Sequence, residues 1–220
     1  MSSHHVVREK QEPALLIANG EACQPDLLGQ LLEWSPTVVV LDSAIWRVFD
    51  LGIKVDVLLG DFDRDLDLDT IRAHQYPLEI VHAPDQNKTD LDKGIELLIE
   101  RGYPAVNIVW ATGRRADHSI TNMTSLVRYK DRIRPVIFDD HSKIFPLVGR
   151  YEKWYAAGTP ISLIPVGTVS GIVTEGLKYN LNDETLTLGY RTGSSNEAER
   201  DGFVRIEAQT GDLLIMECWD

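Results

Sequence analysis

The chain has 220 residues, of which 34 are acidic and 22 are basic, giving a formal net charge of −12. Its 43% hydrophobic and 25% charged content is ordinary for a folded globular protein and argues against disorder. So acidic a surface repels a phosphate backbone and excludes nucleic acid as the expected partner. It favours divalent metals and small cations, although solubility alone explains the charge equally well.

The first ~140 residues repeat one unit: an apolar β-branched run, a polar loop and a stretch with helical spacing. Met1–Gln11 comes before the first unit, lacks the apolar core of a secretory signal and is expected to be a frayed tail. Strands are predicted at Leu15–Ala18, Thr37–Leu41, Val55–Gly60, Glu79–His82, Ala105–Ala111 and Arg134–Asp139. Helices are predicted at Asp26–Trp34, Ser43–Leu51, Leu68–His74, Thr89–Arg101 and His118–Tyr129. This alternation predicts a Rossmann-like α/β domain over residues 1–148, with a mainly parallel sheet between two layers of helices.

After about Gly149 the pattern changes, and no convincing helical stretch follows. Short apolar runs broken by Gly, Pro, Asn and Thr occur at Ile161–Pro165, Gly171–Thr174, Leu186–Leu188, Phe203–Ala208 and Leu213–Cys218. Strands this closely spaced predict a small antiparallel β-sandwich or barrel over residues 149–220, with the boundary near 145–152.

Two further features concern the cellular location. The longest apolar runs, such as Val55–Leu59, are far shorter than the ~20 residues that cross a bilayer, so we expect no membrane span. Cys23 and Cys218 lie near opposite ends of the chain and form neither a disulfide framework nor a zinc motif. This usage predicts a reduced, cytoplasmic location.

Polar residues follow the predicted strands. In an open α/β sheet, ligands bind at the carboxyl ends of the strands, where loops and helix N-termini converge. The five loops in question are Asn19-Gly20, Asp42-Ser43, Asp61-Phe62-Asp63, Asp85 to Asp90 and Thr112 to His118. Four of the five bring carboxylates, so we expect an acidic group at this edge of the sheet.

Carboxylates brought together repel one another unless a cation neutralises them. A hard divalent ion is the natural candidate, since Mg²⁺ takes one or two carboxylate oxygens together with water and substrate phosphates. Asp61, Asp63 and Asp90 are the predicted ligands, and the sequence has no Cys/His set with zinc spacing.

Aspartates continue to occur at every second position after Asp61 and Asp63. We interpret Asp65, Asp67 and Asp69 as a solvated acidic loop, because they no longer directly follow an apolar strand. A calcium-binding EF-hand fails on spacing, since Leu66 stands where the turn needs Gly and Arg72 where Ca²⁺ needs Glu.

The segment Thr112–His118 lies between a predicted strand and a helix and carries two adjacent arginines. Backbone N–H groups, a glycine and guanidinium groups suit an anion, although a surface loop with solvated arginines is the alternative. His118 alone is weak evidence, since a histidine near a helix start more often caps or packs. No G-x-G-x-x-G opens a helix, and the P-loop lookalike Gly171–Gly176 continues with Leu177-Lys178 in the all-β half.

Six segments in order resemble the motifs of thiamine pyrophosphokinases, and together they span both predicted domains. They are residues 52–63 (GIKVDVLLGDFD), 85–90 (DQNKTD), 111–118 (ATGRRADH), 162–167 (SLIPVG), 176–181 (GLKYNL) and 193–196 (GSSN). The combination is far more specific than any one of its motifs.

The resemblance implies a Mg²⁺-dependent enzyme that transfers the pyrophosphoryl group of ATP to the hydroxyl of thiamine, releasing AMP. It also implies a homodimer with each active site between the α/β domain of one subunit and the β domain of the other. The metal ligands are again Asp61, Asp63 and Asp90, and Arg115 and Asp117 lie at the reaction centre. The nucleotide residues implied are Asp42, Gln86, Lys88, Thr89, Thr112, Gly113, Arg115 and His118. The thiamine residues implied are Tyr179, Ser194, Ser195 and Asn196.

The sequence departs from the family pattern in four places. Asp42-Ser43-Ala44-Ile45 stands for the usual Asp-Gly-Gly-Ala, Arg64 follows the Asp-Phe-Asp where Ser is usual, and Arg114 replaces the second glycine of Gly-Gly-Arg. Tyr179 stands where a tryptophan commonly stacks on the substrate. These changes spare the metal carboxylates and fall on the adenosine, phosphate and thiamine contacts.

Pyrophosphoryl transfer needs an aligned attacking oxygen and neutralisation of transition-state charge. Arg115 is expected to stabilise the developing charge, and Asp117 to orient the hydroxyl or accept its proton. One alternative is a Mg²⁺-dependent phosphatase or phosphotransferase that forms a phospho-aspartate at Asp61-x-Asp63, with Lys88 and Asp139-Asp140 downstream. Another is a thiamine- or nucleotide-binding sensor that has lost activity.

Overall fold

The computed structural model describes residues 13–63 and 66–219. The tail Met1–Gln11 and the positions Arg64 and Asp65, on which the sequence carried expectations, lie outside the described residues.

Six parallel strands form the first half of one continuous sheet, in the order β4-β3-β2-β1-β5-β6. They are β1 Ala14–Ile17, β2 Val38–Leu41, β3 Val57–Gly60, β4 Glu79–His82, β5 Ala105–Val109 and β6 Arg134–Phe138. All six predicted strands are confirmed, with ends that differ by up to two residues. β5 ends early because Trp110 takes a left-handed conformation with φ 57°.

Five helices lie between these strands, as the sequence predicted. They are α1 Pro25–Leu32, α2 Ile45–Asp50, α3 Leu68–His74, α4 Asp90–Glu100 and α5 Ala116–Ser125, with 3₁₀ turns at Asp42–Ala44 and Leu126–Arg128. The capping box at the start of α4 is confirmed, because the Thr89 hydroxyl accepts from the Asp92 N–H and the Asp92 carboxylate accepts from the Thr89 N–H. α5 begins two residues before its predicted start, so Asp117 lies in its first turn.

Helices cover both faces of the parallel sheet, because alternate side chains of each strand point to opposite sides. Leu16 of β1 packs in a core with residues of α4 and the end of α5. Its neighbours Leu15 and Ile17 pack in a second core with residues of α1, α2 and α3. The near-continuous apolar strands of the sequence therefore reflect burial on both faces.

The second half of the chain is all-β, and no helix occurs between residues 142 and 219. Its strands are β7 Ser142–Pro146, β8 Tyr151–Tyr155, β9 Pro160–Glu175, β10 Asn182–Thr187, β11 Gly193–Glu197, β12 Gly202–Glu207 and β13 Thr210–Cys218. All pair antiparallel, and the long β9 pairs with β11 and β13 along its first part and with β10 and β12 along its second. A third core, which includes Ile161, Ile172 and Ile206, fills this region.

Strand β7, which the sequence pattern did not predict, joins the two halves. It pairs antiparallel with β6 on one side and with β13 on the other, so one sheet runs through the whole chain. The fold is thus an α/β half followed by a β half. The division at residues 148 and 149 stays a prediction.

Candidate active site

A cleft of about 740 Å³ opens at the carboxyl ends of the parallel strands. Its walls come from all five loops singled out in the sequence. The predicted site residues that line it are Asp42, Asp61, Asp63, Gln86, Lys88, Thr89, Asp90, Gly113, Arg115, Asp117 and His118. Residues far apart in the chain therefore share one cleft because parallel strands end at one edge.

Other lining residues were not predicted. Lys93 lies one turn after Asp90 on α4, and Thr121 and Asn122 lie three and four residues after His118 on α5. Helical spacing from the predicted residues would have identified all three. Asn122 also donates to the carbonyl oxygen of Ala111 at 2.8 Å, which ties α5 to the end of β5.

A buried aspartate supports the Asp61-Phe62-Asp63 loop. Asp42 is 9% exposed, and its Oδ2 accepts from the N–H of Phe62 at 3.1 Å. Phe62 has φ 54°, so the chain turns sharply between the two acidic residues. Burial raises the pKa of Asp42, the Phe62 hydrogen bond opposes that rise, and the nearby Asp90 and Asp61 add to it.

Asp61 is held in its ionised form. Gln86 donates to its Oδ2 at 3.0 Å, and the N–H of Asp63 donates to its Oδ1 at 3.3 Å. The Gln86 hydrogen bond is the main cause that lowers the pKa of Asp61, and the positive charge of Lys93 adds to the effect. Gln86, in the loop after β4, therefore stabilises the charged form of the Asp61 carboxylate.

Asp90 is the first residue of α4, where a carboxylate suits the helix dipole. Its Oδ1 accepts from Nζ of Lys93 at 3.1 Å, and the Lys93 side chain is 6% exposed. Lys88 also lines the cleft, but its Nζ lies 2.7 Å from the Glu96 carboxylate of α4.

The loop Thr112–Arg115, called the arginine loop below, is held in its conformation by backbone and side-chain contacts. Gly113 and Arg114 have φ 73° and 53°, and Arg114 donates to the carbonyl oxygen of Asn19 at 3.3 Å. Arg115 donates to both carboxylate oxygens of Asp117, at 3.1 and 2.5 Å. This contact lowers the pKa of Asp117 to about 2, so Asp117 is a weak base while the pair persists.

Thr112 does not line the cleft. Its hydroxyl donates to Asp139 at 2.8 Å, so it ties the arginine loop to the end of β6. Asp139 and Asp140, which the phospho-aspartate alternative requires, do not line the cleft either. The geometry therefore does not favour that alternative.

The predicted thiamine residues lie together in the β half, and none lines the cleft described above. Tyr179 is 64% exposed, whereas Asn196 is 6% exposed. The Asn196 amide donates to the carbonyl oxygen of Tyr179 at 2.8 Å and accepts from its N–H at 3.1 Å. Ser195, with φ 58°, donates its N–H to the hydroxyl of Ser162.

The fit of a metal ion depends on the donor set. The described part of the chain contains no group of three His, Cys, Asp or Glu side chains close enough to hold an ion by itself. Asp61, Asp63 and Asp90 nevertheless line one cleft with oxygen donors only. This arrangement fits Mg²⁺, which commonly takes one or two carboxylates and fills its shell with water and phosphate oxygens.

Within residues 13–63 and 66–219, no helix has the length and apolar character needed to cross a membrane.

Two family descriptions match the chain in succession. Residues 28–138 match "Thiamin pyrophosphokinase, catalytic domain", and residues 150–213 match "Thiamin pyrophosphokinase, vitamin B1 binding domain". The thiamine pyrophosphokinase of Bacillus subtilis is 30% identical over 184 residues, covering 79% of this chain and 83% of the relative. Thiamin pyrophosphokinase 1 of Caenorhabditis elegans is 30% identical over 175 residues, covering 72% and 70%. The crystal structure of the Bacillus subtilis protein superposes with a TM-score of 0.77 at 26% identity, covering 95% of this chain and 100% of that one.

Proposed function

The chain belongs to the thiamin pyrophosphokinase family, and we propose that it transfers the pyrophosphoryl group of ATP to the hydroxyl of thiamine. The products are thiamine diphosphate and AMP. The observation that carries this proposal is the cleft, where carboxylates suited to a divalent cation face arginines suited to phosphate. The nucleotide would bind at the carboxyl edge of a sheet that we interpret as Rossmann-like.

Asp61, Asp63 and Asp90 are proposed to hold Mg²⁺, which would neutralise charge on the triphosphate when bound. The chain's own residues prepare that position. Asp42 anchors the Phe62 backbone and so fixes the directions of Asp61 and Asp63. The helix start at Asp90 adds a favourable dipole for phosphate oxygens. Lys88, Thr89, Gly113 and His118 are proposed to line the nucleotide.

In the proposed reaction, the thiamine hydroxyl oxygen bonds to the β-phosphorus while the bond from that phosphorus to the oxygen of the AMP leaving group breaks, and the hydroxyl proton is released to water. Arg115 is proposed to face the developing negative charge, and its position along the cleft supports this role. Asp117 positions Arg115 through the two hydrogen bonds between them. Its low pKa supports this positioning role over that of proton acceptor.

The active unit is proposed to be a homodimer. Tyr179, Ser194, Ser195 and Asn196 are expected to bind thiamine, yet they lie outside the cleft of their own chain. A second copy could bring its β half to that cleft. Mixing inactive Asp90→Asn chains with chains inactivated by joint replacement of Tyr179, Ser194 and Ser195 with Ala tests this, because mixed dimers keep one intact site and should restore about a quarter of wild-type activity. A mixture without activity argues for a site within one chain.

The proposed location is the cytoplasm, which the two free cysteines Cys23 and Cys218 support.

The test of the function is AMP release from ATP with and without thiamine. The proposal expects AMP and thiamine diphosphate in equal amounts, only when thiamine and Mg²⁺ are both present. A phospho-aspartate enzyme would release inorganic phosphate and carry a covalent phosphoryl group, and an inactive sensor would bind ligands without releasing AMP. Either of these results would replace the proposed function.

A further inference from the structure

Lys93 occupies an unusual place for a lysine. Its side chain is 6% exposed, it lines the cleft, and its Nζ lies 3.1 Å from Asp90 Oδ1. A buried ammonium group is costly unless an opposite charge compensates it. Here the carboxylate of Asp90 supplies that charge, and Lys93 in turn lowers the pKa of Asp61, after the hydrogen bonds from Gln86 and Asp63.

The other cations along the described cleft are engaged away from these carboxylates. Lys88 contacts Glu96 at 2.7 Å, and Arg115 contacts Asp117 at 2.5 Å. Arg114 donates to the carbonyl oxygen of Asn19. Lys93 is therefore the positive side chain of the described cleft in direct contact with a predicted metal ligand, Asp90.

A fixed positive charge beside a metal position has two opposite effects. It repels a free divalent cation and attracts phosphate oxygens, and both effects are strong in a partly buried site. The described carboxylates also form no ready group of three ligands, so a free ion gains little from them alone. Phosphates from a nucleotide would supply the missing oxygens and compensate the charge of Lys93 at the same time.

We propose that Lys93 is an internal counter-ion of Asp61 and Asp90, which keeps their affinity for a free divalent cation low and makes metal binding depend on nucleotide phosphates. The inference rests on the proposed function, because it takes the ligand of the cleft to be a metal–nucleoside triphosphate complex. In this view the metal enters together with the nucleotide. Lys93 is then a positioning residue that sets the order of binding.

The test is a titration with Mn²⁺ in the absence of nucleotide, followed by electron paramagnetic resonance of the free ion. The variant Lys93→Met should bind Mn²⁺ about tenfold more tightly than wild type, because it removes one positive charge beside the ligands. The same variant should bind a non-hydrolysable ATP analogue with Mg²⁺ several-fold more weakly. Lys93→Arg should keep both affinities near the wild-type values. A merely structural lysine would not shift the two affinities in opposite directions.

Lys88→Met is the matched control, since it removes a cleft lysine whose charge is already paired with Glu96. Its Mn²⁺ affinity should stay within about twofold of wild type. An unchanged or weaker Mn²⁺ affinity in Lys93→Met would overturn the inference. Lys93→Gln, which keeps a hydrogen-bond donor for Asp90, should give the same tightening if the methionine variant folds poorly. If neither Lys93→Met nor Lys93→Gln folds in the absence of metal, and added Mn²⁺ does not restore folding, the inference also fails.

The two hypotheses fail in different experiments. Absence of AMP from wild-type protein with ATP and thiamine would remove the proposed function, while the Mn²⁺ titration needs neither thiamine nor turnover.

Discussion

Residues 14–138 and residues 142–218 use their polar side chains in different ways. In the parallel half, carboxylates and arginines line one open cleft, and Asp61, Asp63 and Arg115 face it together. In the β half, the buried carboxylate of Glu217 accepts from Tyr151, Tyr155 and Lys153 and ties β13 to β8. The first set is proposed to bind ligands, whereas the second joins two strands of the fold.

The difference follows from strand direction. Parallel strands all end at the same edge, so the residues that follow them converge whatever their separation in sequence. Successive antiparallel strands end at opposite edges, and neighbouring loops do not meet in this way. A polar motif after a parallel strand is therefore stronger evidence for a site than the same motif in an antiparallel region.

The largest expected effect comes from Asp90→Asn in the parallel half. The substitution removes one charge from the proposed metal ligands and should lower kcat at least about 10³-fold, about 4 kcal/mol of transition-state stabilisation. Asn also leaves the buried ammonium of Lys93 without its opposite charge, so the melting temperature should fall, and kcat is compared at a temperature where the variant is folded. AMP release and thermal unfolding measure the two quantities. Asp69→Asn, at a side chain 98% exposed on α3, is the control and should remain fully active. An active Asp90→Asn protein would falsify the metal assignment.

Gly60→Ala probes how tightly the cleft is built. A Cβ at Gly60 would lie 2.3 Å from Cγ and Oδ2 of Asp42, so the buried carboxylate that anchors Phe62 must shift. We expect a loss of about 3 kcal/mol in the free energy of unfolding, measured by urea denaturation. We also expect a fall in kcat/KM under conditions where the variant is folded, because the loop that carries the proposed metal ligands Asp61 and Asp63 is displaced.

Gly29→Ala is the matched change, since a methyl group added at this position on α1 would meet nothing within 4 Å. It should stabilise the protein by up to about 1 kcal/mol. Equal stability of the two alanine variants would contradict the packing argument at Gly60.

Glu217→Gln probes the β half. Burial alone raises the pKa of Glu217, but hydrogen bonds from Lys153 and Tyr155, with the charge of Lys143, lower it below the ordinary value of 4.5. A lowered folded-state pKa stabilises the protein above pH 4.5, and that contribution is lost as the pH falls through the folded pKa. Removing the charge should therefore cost about 2 kcal/mol in the free energy of unfolding at about pH 7 and less at low pH.

Urea denaturation between about pH 3 and 7 measures the difference in the free energy of unfolding between wild type and Glu217→Gln. The control is Glu207→Gln, at an exposed residue of β12. Turnover per folded molecule should match that of wild type in both variants. A selective loss of turnover in Glu217→Gln would place this buried carboxylate in the catalytic machinery and break the distinction between the two halves.

The sequence predicts the parallel half more completely than the β half. Apolar runs buried on both faces predicted all six parallel strands, and the residues after them predicted most of the cleft. Local patterns could not predict the left-handed Trp110 that ends β5, or strand β11, whose Gly193–Glu197 has no apolar alternation. Lys93 lies one turn after Asp90, so helical spacing alone places it beside that carboxylate, but only the fold shows that its side chain is buried in the cleft.

The smallest expected effect concerns the proposed thiamine contact at Tyr179. The residue is 64% exposed, and its backbone is held on both sides by the buried Asn196 amide, so the ring can change without loss of the turn. Tyr179→Trp should lower the KM for thiamine about threefold at constant kcat, because a larger ring adds stacking area, and Tyr179→Leu should raise it. Tyr190→Leu, at a tyrosine 91% exposed in the same half, should leave the KM unchanged. If neither change at Tyr179 moves the KM, thiamine binds elsewhere, and Tyr179 has no part in the site.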